Sequence, residues 1–228
     1  VYHAKNEKGD HVAVKIVPAK HFGHGEHEAA SALDRFRCEY IVKFKTIVKI
    51  DKDYIISMEY ANHKSLENLI KTRKTLSEEE SSYYVEQLLK GVSVIHEANL
   101  LHRDIKPENI LLHLPDSQSR PIVKISDFGL AKLLDKDGLA ETQCGTPLYM
   151  APEIYLENKK FDQKADVWSV GVIFYRLLSG QLPFPARSAS QLMQMLRKPP
   201  PRLNQVTYPC WDLVIGMLNS SPARRLSC

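Results

Sequence analysis

The stretch His102–Asn109, which reads HRDIKPEN, decides how the rest of this sequence is interpreted. Transfer of a phosphoryl group to a hydroxyl needs a carboxylate that accepts the hydroxyl proton, a cation that offsets negative charge, and oxygen ligands for magnesium. Asp104 is suited to the first task, Lys106 to the second and Asn109 to the third. Each residue alone would be an ordinary surface or turn residue, but the complete string predicts a phosphoryl-transfer site.

Two further motifs follow along the chain. Asp127–Gly129 (DFG) comes directly after a short apolar strand, Ile122–Ile125. We expect Asp127 to bind magnesium that bridges nucleotide phosphates, and Phe128 to pack beneath it. Such a tripeptide also occurs in ordinary turns, so the prediction depends on its position before a third motif, Gly145–Glu153 (GTPLYMAPE). The second and third motifs bracket a predicted activation segment.

Three charged residues are predicted to be structural. Glu153 is expected to pair with Arg225, close to the end of the chain. Asp166 begins a predicted buried helix, and a buried carboxylate needs hydrogen-bond partners. We expect it to accept hydrogen bonds from the backbone around His102 and Arg103.

The fourth motif is Val12–Lys15 (VAVK). In a strand, alternation puts Ala13 and Lys15 on one face, with Ala13 against a flat base and Lys15 reaching the phosphates. Lys15 then needs a carboxylate partner from the next helix. Glu28 is the expected partner, and Glu26 is the second candidate.

The pattern of apolar residues changes along the chain from strands to helices. A period of two predicts strands in the first third, and Ser77 with Glu80 forms a capping box at the start of a later helix. Gly180 is a predicted cap for a buried helix. The predicted elements are hairpin strands Val1–Lys5 and Val12–Val17, helix Gly25–Arg37, paired strands Val42–Ile50 and Tyr54–Tyr60, and helix Ala165–Leu178.

Composition excludes several functional classes. The net charge is +4 without a clustered run of Lys and Arg, which argues against nucleic acid as a partner. The longest apolar run, Val167–Leu178, is about half a membrane span, so no membrane span is expected. Cys38, Cys144, Cys210 and Cys228 lack metal-ligand or redox spacing, which favours a reducing compartment and a cytoplasmic location.

These strings resemble the protein kinase family over essentially the whole chain. The resemblance implies an α+β, bilobal protein-kinase fold, with a small antiparallel β-sheet N-lobe with one helix and a larger, mainly helical C-lobe. Residues 1–61 would be the N-lobe and hinge, and residues 62–228 the C-lobe. It also implies ATP and Mg²⁺ as cofactors. Lys106–Asn109 is similar to the serine/threonine branch, so the expected partners are proteins with Ser or Thr acceptors.

The resemblance also implies an adenine site. Met58 lies where the family has its gatekeeper residue, and the backbones of Glu59 and Ala61 would bond the adenine edge. Leu111 and Val1 match the apolar residues that sandwich the base.

Three longer stretches resemble the autophagy-initiating ULK-type kinases: Leu139–Glu153, Phe161–Ser169 and the segment ending in Arg120–Ile125. In kinases that resemble this chain, the activating phosphosite lies four residues before the position of Thr146, which is Thr142 here. We expect a phosphate on Thr142 to be received by Arg103 and by Lys132.

The sequence departs from the family pattern at both ends. The glycine-rich loop expected before Val1 is absent, and the family continues beyond the last residues present here. We therefore expect a piece of a longer protein, whose missing regions could bind regulatory proteins.

Two alternatives to a protein kinase stay open. A pseudokinase or scaffold is disfavoured because Lys15, Asp104, Asn109 and Asp127 are all present. A small-molecule phosphotransferase is disfavoured by the activation segment ending at Glu153, because that segment builds a platform for peptides.

Overall fold

The computed structural model describes residues 1–23, 25–133, 148–155 and 162–228. Its first part contains β1 Tyr2–Lys5, β2 His11–Pro18, α1 Gly25–Leu33, β3 Phe44–Ile50 and β4 Asp53–Glu59. The four strands form an antiparallel sheet in the order β1-β2-β4-β3. The turn between β1 and β2 contains Gly9 with a positive φ of 86°, which confirms the predicted hairpin.

The register of the sheet positions the predicted nucleotide-facing residues. Ala13 lies opposite Met58, and Lys15 lies opposite the fully buried Ile56. Because side chains alternate along a strand, Ala13 and Lys15 share one face of β2, as the sequence predicted.

The second part of the molecule is mainly helical. Its elements are α2 Leu66–Arg73, α3 Glu78–Glu97, β5 Leu100–Leu101, β6 Ile110–His113, β7 Ile122–Ile125, β8 Lys132–Leu133, α4 Pro152–Tyr155, α5 Lys164–Ser179, α6 Ala189–Met195 and α7 Tyr208–Met217. The short strands form two antiparallel pairs, β5 with β8 and β6 with β7. These pairs hold the loops that carry the first two sequence motifs.

Local sequence signals explain the two long helices. Ser77 and Glu80 form the predicted capping box at the start of α3. Helix α5 is buried around nearly its whole circumference and ends at Gly180, whose φ of 72° is the left-handed conformation that glycine tolerates. Helices α3 and α5 pack together in one hydrophobic core. Among the described helices, none has both the length and the apolar character needed to cross a membrane.

Two predicted boundaries in the first part of the chain were wrong by more than one residue. Helix α1 ends at Leu33 instead of Arg37, and the amide of Phe36 closes a turn on the Leu33 carbonyl. Strand β3 begins at Phe44 instead of Val42, because Val42 donates its amide to Ile125 of β7. Segment 34–43 therefore connects the sheet to the helical part.

Candidate active site

The loop between β5 and β6 holds Asp104 among polar partners. One carboxylate oxygen of Asp104 lies 2.7 Å from Lys106 Nζ and 2.9 Å from Asn109 Nδ2. Asn109 Nδ2 also donates to the Asp104 backbone carbonyl at 3.0 Å. A short 3₁₀ turn, Pro107–Asn109, brings Asn109 back towards Asp104. The first motif therefore folds into one compact cluster around a single carboxylate.

Asp166, in the first turn of α5, holds this loop through hydrogen bonds to its backbone. Its two carboxylate oxygens accept hydrogen bonds from the backbone amides of His102 at 3.1 Å and Arg103 at 3.0 Å, which are the contacts the sequence predicted. The ring of His96 adds a third contact at 3.0 Å. Burial alone would raise the pKa of Asp166, but the hydrogen bond from His96 and the neighbouring His102 hold its pKa below the usual value. Arg103 has a positive φ of 66°, so these contacts hold a backbone conformation that residues other than glycine rarely adopt.

Lys15 lies between two carboxylates. Its ammonium is 2.7 Å from Glu26 Oε1 and 2.8 Å from Asp127 Oδ1. Burial lowers the pKa of Lys15, but the hydrogen bonds to Asp127 and Glu26 outweigh burial and raise it. Burial raises the pKa of Asp127, and the contact with Lys15 reverses that effect and lowers it. Lys15 thus joins β2, α1 and the second motif through two short contacts with carboxylates.

The expected pairing of Lys15 with Glu28 was wrong, and the second candidate, Glu26, is the partner. Glu26 and Glu28 are two positions apart on α1, so they point in different directions. Glu28 turns away from Lys15 and accepts a hydrogen bond from the Leu133 amide at 3.3 Å. Helix α1 begins only at Gly25, which places Glu26 in the first turn, next to the second motif.

Phe128 lies beneath Asp127, as predicted. It is 1% exposed, and its ring centroid lies 4.8 Å from His102 and 5.8 Å from Phe44. Asp127 has a φ of 64°, a left-handed conformation that turns the chain sharply between strand β7 and the buried ring. The aromatic contacts of Phe128 therefore hold the backbone of Asp127 in this conformation and so fix the direction of its side chain.

Asn109 and Asp127, the predicted metal ligands, flank the same strand pair. Ile110 lies opposite Ile125, and Ser126 donates from both its amide and its hydroxyl to the Asn109 carbonyl. Carboxylate and amide oxygens suit magnesium, which takes only one or two protein ligands and keeps water or phosphate as the others. Among the described residues, no group of three or more His, Cys, Asp or Glu could hold a metal ion. The residues present fit magnesium bound together with nucleotide phosphates.

The predicted adenine-site residues occupy several elements. Met58 and Glu59 end β4, Ala61 follows them, and Leu111 lies half-buried in β6. The side chain of Glu59 points elsewhere, because its carboxylate pairs with Lys124 Nζ at 2.6 Å. Val1 is 80% exposed, so its predicted contact with the base stays a prediction.

The predicted pair of Glu153 and Arg225 is present and buried. Two guanidinium nitrogens of Arg225 donate to the two carboxylate oxygens at 2.7 and 2.8 Å. Arg225 also stacks on Trp168 at 5.1 Å. Thr142, and the first three residues of the third motif, Gly145, Thr146 and Pro147, lie outside the described residues.

A second buried charge network was missed by the sequence analysis. Arg176 of α5 forms a bidentate salt bridge with the carboxylate of Glu67 in α2, with N–O distances of 2.7 and 3.1 Å. Its guanidinium also donates to the hydroxyl of Tyr149. Burial raises the pKa of Tyr149 to about 12. The one signal in the sequence was Arg176 itself, a cation inside an otherwise apolar helix, which requires a buried partner.

Comparison with known proteins gives the family. The family described as Protein kinase domain matches residues 1–228. Serine/threonine-protein kinase ATG1b of Arabidopsis thaliana is 36% identical over 192 residues, 82% of this chain and 27% of that protein. Serine/threonine-protein kinase atg1 of Dictyostelium discoideum is 38% identical over 171 residues, 75% of this chain and 25% of that protein. Serine/threonine-protein kinase ULK3 of Mus musculus is 34% identical over 233 residues, 99% of this chain and 48% of that protein.

This chain spans from a quarter to about a half of the length of these relatives. The family match covers both the antiparallel sheet with α1 and the larger helical part. With Asp104, Lys15 and Asp127 on the elements described above, this chain belongs to the protein kinase domain family.

Proposed function

We propose that this chain is the catalytic domain of a protein kinase that transfers the γ-phosphoryl group of ATP to serine or threonine hydroxyls of proteins. One observation carries the proposal. The Asp104 carboxylate is held by Lys106 and Asn109, while the Lys15 ammonium is held by Glu26 and Asp127. A carboxylate for the acceptor hydroxyl and a cation for the phosphates are thereby both in place.

Each side chain has a task that follows from its contacts. Asp104 would orient the acceptor hydroxyl and take its proton, and Asn109 fixes the rotamer of Asp104 through its amide. Lys106 would offset negative charge on the phosphoryl group during its transfer, because its ammonium lies 2.7 Å from the Asp104 carboxylate, where the acceptor hydroxyl would bind. Lys15 would bind phosphate oxygens, with Glu26 holding it in position. ATP with Mg²⁺, when bound, supplies the phosphoryl group and the metal that Asp127 and Asn109 would ligate.

The proposed acceptors are serine and threonine, because Lys106–Asn109 resembles that branch of the family. Leu130, a bulky residue directly after the second motif, favours serine over threonine by the same resemblance. The relatives named above are serine/threonine-protein kinases, and no observation favours a pseudokinase.

The proposed role is regulation of autophagy in the cytoplasm, with phosphorylation of Thr142 as the activating step and Arg103 as the receiver. The resemblance to ULK-type kinases supports this role. The free thiols Cys38, Cys210 and Cys228 are compatible with that compartment.

Asp104→Asn tests the chemistry directly. The amide keeps the size of the side chain but cannot take a proton, so turnover on a protein substrate should fall by about 10²–10⁴-fold while ATP binding is retained. Radiolabelled phosphate transfer and ATP titration measure the two properties. Asp212→Asn, on the exposed surface of α7, is the control and should leave both unchanged. Full turnover in Asp104→Asn would refute the proposed role of Asp104.

A matched pair of variants tests the partner of Lys15. Glu26→Gln removes the charge that holds Lys15, so kcat/KM should fall by up to about 100-fold because the ammonium is misplaced. Glu28→Gln removes the same charge two residues away and should have little effect. Steady-state kinetics decides between them, and a larger loss in Glu28→Gln would reverse the assignment.

A further inference from the structure

A wide groove, called the α1 cavity below, lies beside α1, and about 1100 Å³ of its volume is open to water. His27, Ala30 and Ser31 line it from α1, together with segment 34–43, the first half of β3 and Lys124. Residues of α1 that are three and four apart share one face of the helix. The lining includes none of the residues that contact Lys15 or Asp104, and the one residue that it shares with the predicted active site is Glu59, whose backbone is assigned to the adenine edge.

Part of its wall is apolar. Leu33, Ile41 and Val42 are buried behind it, and the aromatic rings of Phe36 and Phe44 are only partly buried. Ligand sites are mostly apolar, with a few polar groups that fix orientation. These walls therefore provide contact area for an aromatic or aliphatic group.

A buried cation lies in the lining of the cavity. Lys124 is 7% exposed, and within the described part of the chain its ammonium has one ion-pair partner, Glu59 at 2.6 Å. An ammonium has three donor hydrogens, and buried donors cost free energy unless an acceptor satisfies them. Lys124 can therefore donate to an oxygen atom of a bound molecule while it keeps its contact with Glu59.

The remaining charge of the lining favours an anion. Arg37, Lys43 and Lys45 form no ion pair with any residue that the structure describes, and they outnumber the two other acids, Asp34 and Glu39. At a partly apolar site, the positive charge of the lining selects negatively charged ligands over others, because the two charges are complementary.

We propose that this cavity is a second ligand site, for a small organic anion with an aromatic body. The rings of Phe36 and Phe44 would contact the body, and Lys124, Arg37, Lys43 and Lys45 would donate hydrogen bonds to the anionic oxygens. Helix α1 also carries Glu26, so a ligand here would contact the helix that positions Lys15. That last consequence rests on the proposed function, whereas binding itself does not.

The probe for this site is 8-anilinonaphthalene-1-sulfonate, which has an aromatic body and one sulfonate and fluoresces when it leaves water. Titration of the intact protein should give saturable binding. Ala30→Leu adds three carbon atoms to the α1 wall of the cavity, and Lys45→Glu reverses a charge of the lining, so each should weaken binding about tenfold, which is 1.4 kcal/mol. Lys52→Glu makes the same charge change outside the lining and should bind the probe as the wild type does.

Equal affinity in the wild type, Ala30→Leu and Lys45→Glu would overturn the proposal. Displacement of the probe by ATP with magnesium, without any response to these two variants, would place the probe in the nucleotide site and overturn it as well. Circular dichroism checks folding, and if Ala30→Leu does not fold, Lys45→Glu carries the test. The measurement uses no phosphoryl transfer, so its failure is separate from failure of the proposed function.

Discussion

The imidazole of His102 is completely buried and hydrogen-bonded at both ring nitrogens. Its Nδ1 accepts from the Asp104 amide at 3.3 Å, and its Nε2 donates to the Ser126 carbonyl at 3.1 Å. These partners assign the neutral tautomer, because a proton on Nδ1 would displace the Asp104 amide. Burial accordingly lowers the pKa of His102. The ring thus links the first two motifs only while it is uncharged.

This gives a prediction for stability against pH. Around the ordinary pKa of 6.5, the unfolded chain takes up a proton at His102 more readily than the folded chain, so stability falls as the pH decreases. Between pH 6.5 and 5.5, the free energy of unfolding of the wild type should fall more than that of His102→Phe, by up to about 1 kcal/mol. Urea titrations at several pH values measure this difference. Parallel pH profiles for the two proteins would contradict it.

At the scale of elements, the start of α1 lies against the backbone of the second motif. A side chain at Gly25 would put its Cβ 2.5 Å from the Phe128 carbonyl oxygen and 2.8 Å from that of Ala131. Both neighbours are backbone atoms that cannot rotate away. The absence of a side chain at Gly25 is therefore what lets Glu26 reach Lys15.

Gly25→Ala should push α1 away from Phe128, at a cost of about 1–3 kcal/mol in the free energy of unfolding. Transfer activity should decrease as well, because Glu26 moves with the helix. Gly23→Ala is the matched control, since its Cβ would meet only the Gly129 carbonyl oxygen at 3.4 Å, an ordinary contact. Denaturation midpoints and kinetics of both variants test this. A Gly25→Ala protein as stable and active as Gly23→Ala would show that α1 can shift without loss.

These contacts explain which elements were predictable from sequence. The capping box of Ser77 and Glu80 and the glycine at Gly180 are local signals, and α3 and α5 were predicted from them. The choice between Glu26 and Glu28 depends on where α1 meets Phe128, a contact between residues about 100 positions apart in the sequence. No local pattern contains that information.

At the scale of the whole molecule, ion pairs connect residues that are distant in the chain. Arg225 is 2% exposed, and besides Glu153 it donates to the carbonyls of Asn219 and Lys164. It therefore joins the last residues of the chain to α4 and to the start of α5. The motif residues of this pair were predicted from sequence, whereas the link between Glu67 and Arg176 required the packed structure, because neither residue belongs to a motif.

Arg225→Met should leave Glu153 buried without its partner and destabilise the fold by about 3–5 kcal/mol. Arg224→Met, at the exposed neighbouring position, should change stability by no more than about 0.5 kcal/mol. Chemical denaturation of both proteins gives the comparison. If the two variants were equally stable, the buried pair would contribute nothing to holding the chain end in place.

The position of Lys15 between two carboxylates bears on the choice of a null allele for genetics. Removing Lys15 would leave two like charges, Glu26 and Asp127, close together without the cation that they share. A cell carrying Lys15→Met would therefore have a protein with altered charge and altered packing of α1, in addition to lost chemistry. An allele at Asp104 leaves that junction between the lobes intact, so it would separate the phenotype of lost phosphoryl transfer from that of a disturbed fold.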